Sequence, residues 1–133
     1  MKPSFIEDLE NYIANSSTLK KYNSIVIQNK TEKETREERI NRLENLQWQL
    51  RYLKVLWMIL DDKYNNKIFK NKEDKIRFYA TAYNFGFLQP EKIITNYQNI
   101  KVFPYGKNNN NIQVAFADFS IDFFRNYAFQ INQ

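Results

Sequence analysis

From Leu43 to Tyr64 the residues Leu43, Leu46, Leu50, Leu53, Trp57, Leu60 and Tyr64 follow one another at alternating intervals of three and four. That repeat lays apolar side chains along one seam of an α-helix. Upstream, Thr31 followed three residues later by Glu34 has the form of a capping box, which opens a helix. Together they predict one long helix from about 32 to 64. Its first half is charged, with Glu32 and Arg36, and Glu38 and Arg42, at the i,i+4 spacing of an exposed helix. Its second half adds Trp48, Tyr52, Val55, Leu56 and Ile59 outside the seam, so more than one face must be covered. The expectation is a helix that emerges from solvent and enters the core, with Leu50, Leu53, Trp57 and Leu60 buried.

Shorter helices account for most of the remaining chain. Residues 3 to 15 place Phe5, Leu9, Tyr12 and Ile13 on one face, with Pro3 in the first turn, where its fixed φ is suited to a helix. Residues 15–31, rich in Ser and Asn around Ile25-Val26-Ile27, predict a loop with a short extended piece. Asn66 or Asn71 can cap an amphipathic helix through Ile76, Phe78, Tyr79, Ala80, Ala82 and Tyr83, with Gly86 at its end. Pro90 opens another helix, with Ile93, Ile94 and Tyr97 expected buried. Residues 100–111 form a turn-rich loop containing Phe103-Pro104-Tyr105 and an Asn run. A last helix, from about 112 to 129, aligns Ile112, Phe116, Phe119, Phe123 and Tyr127. The predicted fold is all-α: a single domain over 1–133, of about five helices, with one long central helix and an aromatic-rich core.

Composition then narrows the chemistry. The chain has no His and no Cys, which removes the commonest neutral-pH proton shuttle, the usual zinc ligands and thiolate chemistry. Eleven Phe, nine Tyr and two Trp make the core aromatic rather than aliphatic. Twenty Lys and Arg against fifteen Asp and Glu give a net charge of +5, but the signs are interspersed, which favours anionic partners only weakly. No apolar run is long enough for a membrane span, and the first residues lack the apolar stretch of a secretory leader. A cytoplasmic location and no cofactor are expected.

Carboxylates are the main acid/base groups left. Asp118 and Asp122 lie four residues apart on the last helix, a spacing at which two carboxylates can share a divalent ion or act as acid and base. The expectation is plainer: a solvated stripe in which Arg125 neutralises Asp122, with no metal. Gly86 and Gly106 are isolated, so no phosphate-cradling loop exists. The serines have neither a Gly-x-Ser-x-Gly context nor a His to activate them.

Ala82-Tyr83-Asn84-Phe85-Gly86 resembles the Ala-Tyr-Asn-x-Gly element of the lysozyme-like lytic transglycosylase domain. The resemblance covers these five residues and implies a sugar cleft lined by Tyr83, with Asn84 beside it. The chain lacks the family's upstream Glu-Ser segment, so no catalytic Glu can be carried over.

Two binding readings complete the set. Lys67, Lys70 and Lys72, with Phe69 among them, combine phosphate contacts with a stacking ring, the pattern of weak nucleic-acid binding. Alternatively, the seam and its neighbours Trp48 and Tyr52, together with Phe103 and Tyr105 of the aromatic loop, offer anchors for a protein. The favoured expectation is a non-catalytic helical protein-interaction domain, whether accessory, inhibitor or immunity-type, or assembly subunit. Its partner would be another protein or a second copy. The peptidoglycan-related and nucleic-acid readings stand as alternatives.

Overall fold

Pro3 starts the first helix, as its fixed φ favours. In the computed structural model, which describes residues 1–127, the chain is all-α. Its contacts gather into two units, one from Met1 to Asn66 and the other from Lys67 onward. No strand occurs among the described residues; the nearest approach is an isolated antiparallel bridge between Phe103 and Val114.

In the first unit, α1 (Pro3–Asn15) buries Ile6, Leu9, Glu10 and Ile13. The stripe is therefore turned slightly from the expected one, and Phe5 and Tyr12 are half-buried at its edge. Residues 15–31 contain a 3-10 helix, Lys20–Ile25, in place of the expected extended piece. The tighter coil delivers Ile25 into the core, and Thr18 Oγ1 donates to Asp62 Oδ1 at 2.8 Å.

The single long helix of the sequence reading is instead two: α2 (Glu32–Glu44) and α3 (Leu46–Lys63). The capping box at its start does form, with Thr31 N–H donating to Glu34 Oε2 at 2.8 Å and Glu34 N–H to Thr31 Oγ1 at 3.3 Å. The break is at Asn45, whose backbone is extended at φ −102° and ψ 119°. Asn45 N–H donates to the Arg42 carbonyl at 3.2 Å and closes α2, while its side-chain oxygen accepts from Trp48 N–H at 3.2 Å and opens α3. Gln49 Nε2 donates to the Leu43 carbonyl at 2.7 Å, satisfying a group that the break leaves outside the helical ladder. Apolar periodicity cannot register a polar residue that caps in both directions.

With the break comes a different rotation. The core-facing residues of α3 are Tyr52, Val55, Leu56, Ile59 and Leu60, the i, i+3, i+4, i+7, i+8 set of a helix packed on one side. Leu60 is buried as expected, but Leu50, Leu53 and Trp57 are exposed, which corrects the predicted core seam. Packed against α1 and α3, α2 buries no residue of its own. Long cations attach it: Arg39 to Glu10, and Arg42 to the Ile25 carbonyl at 2.6 Å.

In the second unit, Asn71 is the cap, its Oδ1 accepting from Asp74 N–H at 2.8 Å at the start of α4 (Lys72–Phe85). Gly86 ends that helix at φ +124°, a conformation that side chains with a Cβ rarely adopt. Helix α5 (Glu91–Tyr97) follows Pro90, buries Ile94 and stacks Tyr97 on Phe85 at 3.8 Å between ring centroids, while Ile93, expected buried, is exposed because the short helix turns only Ile94 inward. The last helix, α6 (Phe116–Tyr127), packs on α4 through Ala117 and Ile121. It starts later than residue 112 because Phe103 and Val114 exchange backbone hydrogen bonds at 3.1 Å, which holds the preceding segment extended. Ile112 is consequently outside the helix and 96% exposed, and Phe119, Phe123 and Tyr127 are exposed rather than core. The expected end near residue 129 lies outside the described residues.

Candidate interaction face

Because α3 turns Tyr52, Val55 and Ile59 inward, the residues about half a turn away must face out. Leu46, Leu50, Leu53 and Trp57 do so, at 64%, 52%, 40% and 39% exposure. Their spacing of four, three and four keeps them in one row along the helix. Beside the row runs a shallow groove of about 470 Å³ lined by Gln47, Trp48, Leu50, Arg51 and Lys54.

Trp48, which lines this groove, is held in place by cations. The Arg42 guanidinium lies 4.0 Å from the centre of its ring system and that of Arg51 4.9 Å, both within cation–π range. Arg42 is itself held by Glu38 Oε1 at 2.8 Å and by the hydroxyl of the fully buried Tyr52 at 3.3 Å. Burial pushes the Tyr52 hydroxyl above its ordinary pKa, with Arg42 acting against it. Arg51 Nη2 donates to Ser24 Oγ at 3.1 Å. The indole is thus a platform braced from α2 and α3, and of the two contact residues expected here Trp48 reaches the surface while Tyr52 supports it from within.

The other sequence candidates are dispersed through the second unit. Lys67 is engaged by Glu91 at 2.6 Å and lies over the rings of Phe69 and Phe78. Lys72 lies over Phe124 at 5.1 Å, and Lys70 is exposed, its backbone N–H donating to Asp74 Oδ2 at 3.2 Å. Asp118 is paired with Arg77, and Asp122 is exposed. Arg125 does not take up Asp122 as expected: it forms a bidentate pair with Glu73, Nε to Oε1 at 3.0 Å and Nη2 to Oε2 at 2.7 Å. The reason is reach, since Glu73 sits in the first turn of α4 against which α6 packs. Among the described residues no group of three His, Cys, Asp or Glu side chains is placed to hold a metal ion.

Tyr83 lies half-buried with its ring 6.0 Å from Phe116, and Asn84 is exposed. Phe103 is tucked against Phe116 at 4.9 Å and Phe119 at 5.4 Å, which leaves Tyr105, 59% exposed, as the outward residue of that loop.

The heptad period predicts Leu50, Leu53 and Trp57 in the core, where the structure has them exposed, and it does not single out Gln47, Arg51 and Lys54. The signal was in the text all the same: a heptad row with long cations interleaved is also what a helix presents to another helix. Compared with protein-family models, with curated proteins and with solved structures, the chain matches none. Among the described residues no helix is long and apolar enough to cross a membrane.

Proposed function

We propose that the chain is a non-catalytic helical interaction domain whose outer α3 face docks another protein. One observation carries the reading: Leu46, Leu50, Leu53 and Trp57 stand exposed in a single heptad-spaced row while the residues beside them on α3 are buried. Scattered surface leucines are ordinary, but a continuous apolar row on a helix marks a surface that is covered in use. Covering it recovers roughly 25 cal/mol for each Å² of apolar area removed from water. The braced Trp48 beside it supplies a rigid aromatic anchor of the kind that dominates interface energetics.

Recovery of bound proteins on the tagged 133-residue chain and on its Leu53→Asp variant tests this. The expected result is a partner that is retained by the parent chain and lost by the variant, with helical content and unfolding midpoint unchanged. Equal recovery on both would remove α3 from the account.

A further inference from the structure

We infer that the occupant of the α3 face is an amphipathic helix with apolar residues at heptad spacing and carboxylates along the flank that meets Arg51 and Lys54. The inference rests on reading α3 as a docking face and adds the chemistry of what docks there. From Asn45 to Leu60 the chain contains no Asp or Glu, so the exposed row has no acidic residue of its own α3 neighbours beside it until Asp61. Elsewhere in the same unit cations meet carboxylates: Lys30 and Arg42 on Glu38, Arg39 on Glu10 and Glu7, Lys33 near Glu37. Arg51 and Lys54 have no such ion pair among the described residues, although both line the groove beside Leu50. A partner that fills the groove brings its own charges within a few ångströms of theirs, where opposite signs steer association and like signs oppose it.

The row itself points to a helix. Residues spaced four, three and four apart form the knobs that another helix receives between its own side chains. A second copy fits less well, because two such faces would bring Arg51 and Lys54 of one copy toward the same cations of the other. An anionic membrane would also attract the cations, but it asks for a broad apolar face, and here the row is narrow and is followed by Asp61 and Asp62.

Titration of the 133-residue chain with two synthetic three-heptad peptides separates these cases. Both carry Leu at the a and d positions; one has Glu and the other Lys at e and g, so that neither pairs readily with itself at neutral pH and low salt. The Glu peptide is expected to bind at least about ten-fold tighter than the Lys peptide, with the difference shrinking as salt is raised. Leu53→Asp should abolish binding, and the double variant Arg51→Glu, Lys54→Glu should reverse the preference, each with an unchanged circular dichroism spectrum. Equal binding of both peptides would overturn the acidic flank while leaving the docking face in place. Binding of neither would overturn both. Self-association in sedimentation tighter than binding of the Glu peptide would assign the face to a second copy, and co-sedimentation with phosphatidylserine–phosphatidylcholine vesicles without peptide binding would assign it to lipid; either overturns the inference.

Discussion

Glu10 sits on the buried stripe of α1 with only 3% of its surface exposed. Its Oε2 accepts from Arg39 Nε at 3.1 Å and Nη2 at 2.7 Å, whereas Oε1 is buried and has no hydrogen-bond partner. Burial is the larger influence and raises the Glu10 pKa above the ordinary carboxylate value, against the opposing pull of Arg39 and Arg42; nearby Glu7 adds to the rise. Such a pair costs most when it is half removed, since the remaining charge stays buried without a counter-ion. Arg39→Ala should therefore lower stability by about 3–5 kcal/mol, and the double variant Arg39→Met, Glu10→Met should recover much of the loss, both read from urea unfolding. A double variant as unstable as the single would show that the ion pair itself, rather than the orphaned carboxylate, holds α2 to α1. The pH dependence has a definite sign. With its folded-state value raised, Glu10 contributes stability that is complete below the ordinary carboxylate pKa of about 4.3 and is lost as pH rises through the raised value. Relative to Glu10→Gln, the parent chain should lose stability over that rise, and parallel curves for the two proteins would contradict the assignment. Nothing in the sequence marks Glu10, because a charged residue on an amphipathic helix reads as solvated until its partner on another helix is known.

Where an element stops is set by single side chains, and that decides the largest difference between sequence and structure. The capping box at Thr31, the ending at Gly86 and the opening at Pro90 were legible, since each is a local signal with a local cause, and the cap at Asn71 is one of the two that the sequence offered, Asn66 being the other. Asn45 is equally local but sits inside an apolar period that continues across it, so the period masked the break. Replacing Asn45 by Ala removes the oxygen that accepts from Trp48 N–H, and the expected cost is about 0.5–2 kcal/mol in the unfolding midpoint. No change in the midpoint would mean that the Gln49 amide on the Leu43 carbonyl suffices to set the break. At α6 the difference comes from the Phe103–Val114 bridge, a pairing across a turn-rich loop that helical periodicity does not register.

Over the whole molecule, fold class was legible because helix signals recur from end to end, while the inward faces were not, because rotation about a helix axis depends on what packs beside it. The division at Asn66 falls within a Lys-rich junction whose charges read as a solvated connection. Net charge also belongs to this scale. Although the chain is +5, Lys67, Arg77 and Arg125 are engaged by Glu91, Asp118 and Glu73, so nucleic-acid binding should be weak and fall by orders of magnitude between about 50 and 200 mM salt. Sub-micromolar RNA binding that persists at the higher salt would contradict this. The heptad row of α3 is surface and the opposite side of that helix is core. Urea unfolding of Leu53→Asp beside Ile59→Ala decides between this arrangement and its reverse. Ile59→Ala is expected to lose about 2–5 kcal/mol and Leu53→Asp to stay within about 0.5 kcal/mol of the parent; a loss for Leu53→Asp as large as that for Ile59→Ala would put the row back in the core.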